Sequence, residues 1–152
     1  MALRDLAPLL DTGPTFVSLQ KEVRAADAET LANSRVLQFG QRLESFSDTA
    51  ALISQLDLVI SVDTGVAHLA GALGKPVWIL LTHSPDWRWL LDRDDSPWYP
   101  TARLFRQDDT REWSGVVARV CDALVEIIES NGEAGRSGGP DLPSVNHKAV
   151  PQ

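Results

Sequence analysis

A single cysteine, Cys121, among 152 residues leaves no partner for a disulfide within one chain. It falls in the apolar spacing of a helix, so it reads as a small core residue of a protein kept in a reducing compartment. The three histidines are far apart and give no ligand spacing with the cysteine, which speaks against a metal centre. Asp92, Asp94 and Asp95 cluster, but as a solvated turn rather than a magnesium site. Excess positive charge is also missing. A net charge of −7 and a pI near 4.8 leave no basic face for nucleic acid or an anionic membrane. No run reaches the ~18 apolar residues that a membrane helix needs, and Met1–Leu6 lacks the basic and apolar regions of a secretory leader. A cytoplasmic protein without a membrane span is the expectation. The glycine and serine signatures of α/β-hydrolases, P-loops and dinucleotide folds are absent, and no cofactor is expected.

What is present is an ordinary globular composition, 43% hydrophobic and 23% charged, on a chain long enough for one domain with a real core. Strand and helix patterns alternate. Thr15–Leu19, Val36–Phe39, Val59–Val62, Pro76–Leu81 and Arg103–Arg106 read as strands. Ala25–Asn33, Thr49–Gln55 and Ser114–Glu129 read as helices, the second capped by Ser47 or Asp48. The third carries Val117, Val120, Cys121, Leu124, Ile127 and Ile128 on one face. Such alternation predicts a mainly parallel sheet covered by helices on both faces. Residues 1–13 form a lead segment. From residue 131 the chain turns rich in Gly, Pro and Ser and reads as a flexible tail.

The densest information lies between Asp57 and Leu80, where a β-branched strand, an Asp63-Thr64-Gly65 turn, a helix and a second strand follow one another. The first amides of a helix have no internal partner and sit at the positive end of its dipole, so this turn favours an anion. Gly65 permits close approach, Thr64 offers a hydroxyl, and His68 lies one turn along on the same side. Together they suit a diphosphate. The plainer reading makes Asp63 a helix cap, Gly65 a tight turn and His68 a half-buried helix residue.

Ser61-Val-Asp-Thr-Gly-Val-Ala-His-Leu-Ala70 followed by Gly74-Lys-Pro-Val resembles the donor-binding, C-terminal half of family 9 glycosyltransferases, the heptosyltransferase-like group of the GT-B fold. Phe16–Lys21 and Pro85–Leu90 are similar to the version that follows tetratricopeptide repeats in bacterial proteins, and the resemblance covers roughly residues 14–128. It implies an α/β, Rossmann-like three-layer sandwich over 14–130 and a nucleotide-diphosphate sugar as substrate. It places Asp63, Thr64, Gly65, Val66 and His68 at the donor diphosphate, with Lys21 contacting the same phosphates and Glu44 near the nucleotide base. Without it, Lys21 is a solvated lysine. Gln20, Lys21, Gly40, the Asp63 turn, Thr82 and His83 all fall at strand carboxyl ends, where open α/β sheets bind ligands.

Three of the five tryptophans and three prolines crowd into 82–100, a long connection of the kind that is usually functional. Trp87, Trp89, Trp98 and Tyr99 could stack on a base or sugar and Arg88 could approach a phosphate. For Trp89 and Trp98 a packing role beneath the loop is the preferred reading. His83 lines the pocket or is merely solvated.

The resemblance covers only one half of a two-domain enzyme. In the heptosyltransferases the general base is a carboxylate of the N-terminal domain, so no catalytic residue is assigned here, and an acceptor domain or second chain is needed to complete the reaction. The alternative is a non-catalytic module that binds a nucleotide or a protein, with homo-oligomers favoured by the apolar face that loss of a domain leaves.

Overall fold

The computed structural model describes residues 1–137, with side chains through 132. Five strands, β1 (Val17–Ser18), β2 (Leu37–Gln38), β3 (Val59–Val62), β4 (Val77–Leu81) and β5 (Ala102–Arg106), alternate with helices α2 (Ala25–Ala32), α3 (Phe46–Ser54) and α4 (Gly65–Ala72) before the closing α5 (Trp113–Ser137). A 3-10 turn at Leu3–Leu6 leads into a short α1 (Ala7–Leu10). Every pairing between strands is parallel, as expected of βαβ units. The strands fall into two hydrogen-bonded groups, β1-β2 and β3-β4-β5, rather than one continuous ladder.

β4 explains the three layers. All five of its residues are buried, and because successive side chains point to opposite faces, Val77, Ile79 and Leu81 join Ile53, Ala67 and Ala70 on the α3/α4 side. Trp78 and Leu80 join Val116, Val120 and Leu124 of α5 on the other. The molecule is therefore a parallel α/β fold covered on both faces, as the alternation predicted, and the Rossmann-like sandwich that the resemblance implied.

Local chemistry shifted several boundaries. α3 begins at Phe46, not Thr49, and its cap is Ser45 rather than Ser47 or Asp48. Asp48 is the third helical residue and reaches back to the Ser45 amide at 2.8 Å, completing a capping box. The Ser45 hydroxyl, and then the backbone amides of Ser45 and Glu44, hold the Asp48 carboxyl below its usual range. α5 runs on to Ser137, past the expected end at Glu129, while the rest of the expected tail lies outside the described residues. On α5, Ile127 and Ile128 are 42% and 40% exposed, so the buried face is shorter than the apolar pattern. Cys121 is half-buried against the α5 core, and burial followed by Asp122 pushes its thiol up.

The lead segment is part of the fold. Leu9 is 3% exposed in the core with α5, and Asp27 of α2 ties down the chain before it. Only 2% exposed, the Asp27 carboxylate accepts from the Leu3 amide at 2.9 Å and from Arg24 Nε at 2.7 Å. The Leu3 amide bond, opposed by desolvation and helped by Arg24, lowers its pKa. A carboxyl lowered in the folded state stabilises above its unfolded value, and that contribution is lost as pH falls through the folded one. Asp27→Asn is accordingly expected to lower Tm at pH 7 and to flatten the fall in Tm on acidification below about pH 4. Matching Tm values for variant and wild type at pH 7 would sink this account.

Candidate functional site

The β3–α4 turn carries the site. Thr64 occupies the N-cap of α4 with extended backbone but makes no capping hydrogen bond, because its hydroxyl lies 3.1 Å from Ser61 Oγ. Asp63 does not cap the helix either. Ala67 and His68 amides reach the Thr64 carbonyl, which leaves the Gly65 and Val66 amides without an acceptor among the described residues. Gly65 is exposed and Val66 half-buried. The mouth of α4 thus presents two free donors to solvent.

His68 is held from three sides. Its Nε2 faces Asp63 Oδ1 at 3.5 Å and its Nδ1 lies 3.0 Å from Tyr99 Oη. The ring stacks on Trp89, with centroids 5.3 Å apart and planes at 17°. A carboxylate only accepts, so the neutral imidazole that satisfies both neighbours carries its proton on Nε2 and accepts from the Tyr99 hydroxyl at Nδ1. That leaves His68 a donor on the Asp63 side. Tyr99 is seated by Gly71, where a Cβ would meet the Tyr99 ring at 2.5 Å.

The loop beneath is pinned by Arg106, which donates to the carbonyls of Trp89 at 2.5 Å and Arg93 at 3.1 Å. Burial pushes this guanidinium below the ordinary arginine range, opposed by Asp92. Trp89 is fully buried, as its packing role required. Trp98 is not: it is 57% exposed because its Nε1 bonds the Arg88 carbonyl at 2.9 Å and holds the ring at the surface. With His68, Trp87, Arg88, Trp89 and Tyr99 it lines an open recess of about 350 Å3.

The expected residues divide accordingly. Asp63 and His68 touch, Thr64, Gly65 and Val66 form the adjoining mouth, and Trp87 and Arg88 share the recess with His68. Lys21, Gln20, Glu44 and Thr82 are exposed at or near strand ends and make no hydrogen bond or ion pair with that cluster. Gln20 and Lys21 do meet Gly40, whose Cβ would lie 2.6 and 2.7 Å from their carbonyl oxygens, so the ends of β1 and β2 abut. His83 bridges the ends of β4 and β5, its amide donating to Gln107 Oε1 at 3.1 Å. Asp95 pairs with Arg93 at 2.6 Å. Among the described residues no group of three His, Cys, Asp or Glu could hold a metal ion, and no helix is long and apolar enough to cross a membrane.

Sequence reasoning missed Tyr99 as the partner of His68, Gly71 as its seat, and Phe46, whose ring lies 3.7 Å from a Cβ placed on Gly65. Only the crowding of aromatics after β4 pointed toward the first.

No solved structure matches the chain. Protein FlbA of Caulobacter vibrioides is 34% identical over 129 residues, which is 81% of this chain and 21% of FlbA. The chain therefore spans about a fifth of the length of this curated relative. Residues 21–119, which include β2 through β5 and the whole Asp63–His68 turn, match glycosyltransferase family 9 (heptosyltransferase), and the chain belongs to that family.

Proposed function

We propose that this domain holds the diphosphate of a nucleotide-sugar donor at the mouth of α4, and that glycosyl transfer is completed by an acceptor-binding domain or chain. The observation that carries the reading is the pair of uncapped amides, Gly65 and Val66, beside a histidine fixed by Asp63 and Tyr99. Fixed donors aimed at a departing diphosphate stabilise charge as it develops, which is the contribution a donor domain makes to transfer. Val66 contributes its amide, Thr64 a hydroxyl and His68 its Nε2–H. Lys21, exposed and without an ion-pair partner among the described residues, supplies neutralising charge from the end of β1. Gln20, Glu44 and Thr82 line the approach.

Calorimetric titration with ADP, UDP and GDP tests this directly. One of the three is expected to bind, and His68→Ala to weaken it about tenfold, the scale of one lost charge-assisted hydrogen bond. The second reading, a non-catalytic module, draws on Val125, Ile127 and Ile128, left 39–42% exposed on α5. Failure of all three nucleotides to bind, with concentration-dependent self-association in sedimentation, would favour it.

A further inference from the structure

The recess beside His68 is framed by hydrogen bonds within its own loop. Asp86 caps a 3-10 turn at Trp87–Trp89, accepting from the Arg88 amide at 3.0 Å and pairing with the Arg88 side chain at 3.0 Å. Trp98 is tied to the Arg88 carbonyl, and Arg106 anchors the backbone at Trp89 and Arg93. Within this fixed frame Trp87 is 73% and Trp98 57% exposed. Both indoles, Trp98 pinned through its Nε1 and Trp87 projecting from the backbone that Asp86 and Arg106 hold, face solvent and forgo the burial that large aromatics normally gain, and they recover it when a flat apolar surface covers them. The rim meanwhile carries hydrogen-bonding groups, the His68 ring and the Arg88 guanidinium.

We infer that this recess seats the sugar ring of the nucleotide-sugar donor, a pyranose whose ring hydrogens form a continuous apolar face; the inference rests on the donor-binding reading above. A pyranose matches the lining group by group. Its C–H face covers indole, and its hydroxyls, which both donate and accept, meet the polar rim. A nucleobase also stacks on indole, and the order of contacts along α4 decides between them. Phe46 lies against Gly65 at the first residue of the helix, Tyr99 lies against Gly71 nearly two turns on, and His68 stands between. A diphosphate at the Gly65 and Val66 amides thus has the α3 side, with Phe46 and Glu44, for its nucleoside, and the His68 side, with the aromatic recess, for its sugar. The pinned Trp98 ring lowers the ordering cost of binding, so the recess adds affinity for the sugar beyond that of the diphosphate.

The experiment compares each nucleoside diphosphate with its sugar conjugate on the full chain: UDP with UDP-glucose and UDP-galactose, ADP with ADP-glucose, GDP with GDP-mannose. At least one conjugate is expected to bind about five- to tenfold tighter than its diphosphate, the scale of one aromatic stacking contact. Trp87→Ala and Trp98→Ala should each shrink that gap while leaving diphosphate affinity unchanged, and the Trp87 and Trp98 indole N–H signals in NMR spectra should shift only with the conjugate. Both rings are solvent-facing, and circular dichroism of the variants checks that folding is retained. A gap that survives both substitutions, or a loss of affinity for the bare diphosphate in the variants, overturns the sugar seat, the second outcome placing the base there. If no nucleotide binds at all, the donor reading fails separately, and the recess is read with methyl glycosides at tens of millimolar. Shifts of the two indole signals then uphold a sugar seat, and their absence refutes it.

Discussion

Gly65→Asp is expected to abolish nucleoside diphosphate binding without unfolding the domain. A Cβ at Gly65 meets only the Phe46 ring, at 3.7 Å, an ordinary contact. The residue is exposed at the first position of α4, where a carboxylate is favoured by the helix dipole by roughly 0.3–1 kcal/mol. Stability should therefore hold or rise. Binding should not survive, because the new carboxylate satisfies the free amides and repels the phosphates. Two like charges about 4 Å apart near a protein surface cost about 4 kcal/mol, enough to remove more than a hundredfold in affinity. Calorimetry beside a thermal melt measures both effects, with Gly65→Ala, which adds bulk but no charge, expected to lose far less affinity than Gly65→Asp. An aspartate variant that still bound a diphosphate normally would remove the mouth of α4 from the site.

Gly71→Ala carries the largest expected loss of stability among conservative changes near the site. The added methyl would lie 2.5 Å from Tyr99 Cγ, 2.6 Å from Cδ1 and 3.0 Å from Cβ. These atoms lie near the backbone, and the ring is held at its far end by His68, so no simple rotation clears the clash. Overpacking of this kind costs about 1–3 kcal/mol. Gly74→Ala is the instructive contrast. At φ +67° with nothing within 4 Å, it suffers only the left-handed backbone penalty of about 1 kcal/mol. Urea denaturation ranks the two, and nitrogen chemical shifts of His68 distinguish them further, since only displacement of Tyr99 disturbs the imidazole. Equal destabilisation of the two variants, with His68 unmoved in both, would show that Tyr99 does not depend on Gly71.

How much could be read beforehand depends on the range of the forces involved. The βαβ unit was legible because β-branched runs and a glycine turn act over a few residues, and β3, α4 and β4 appear where those patterns lie. The helix cap at Ser45 was missed by two or three residues because an apolar pattern marks the body of a helix, whereas its start is set by which carboxylate reaches back, here Asp48. Ile127 and Ile128 share the apolar face of α5 yet stay exposed, because periodicity records which face is apolar, not where the sheet beneath ends. Leu9 lies in a segment that reads only as a lead, because its packing partner, α5, is more than a hundred residues away.

Taken by itself, the order of residues determined the α/β class, the glycine turn opening α4 and the identity of its histidine, since backbone sterics and side-chain period govern all three locally. Only the tertiary structure decided what surrounds that histidine. Tyr99 stands 31 residues from His68, and its hydroxyl arrives there because the 82–100 loop folds back over α4 onto Gly71 under the hold of Arg106. Contacts of that kind depend on the closure of a long loop and the space left by one missing side chain, and no pattern within a short window of sequence encodes either.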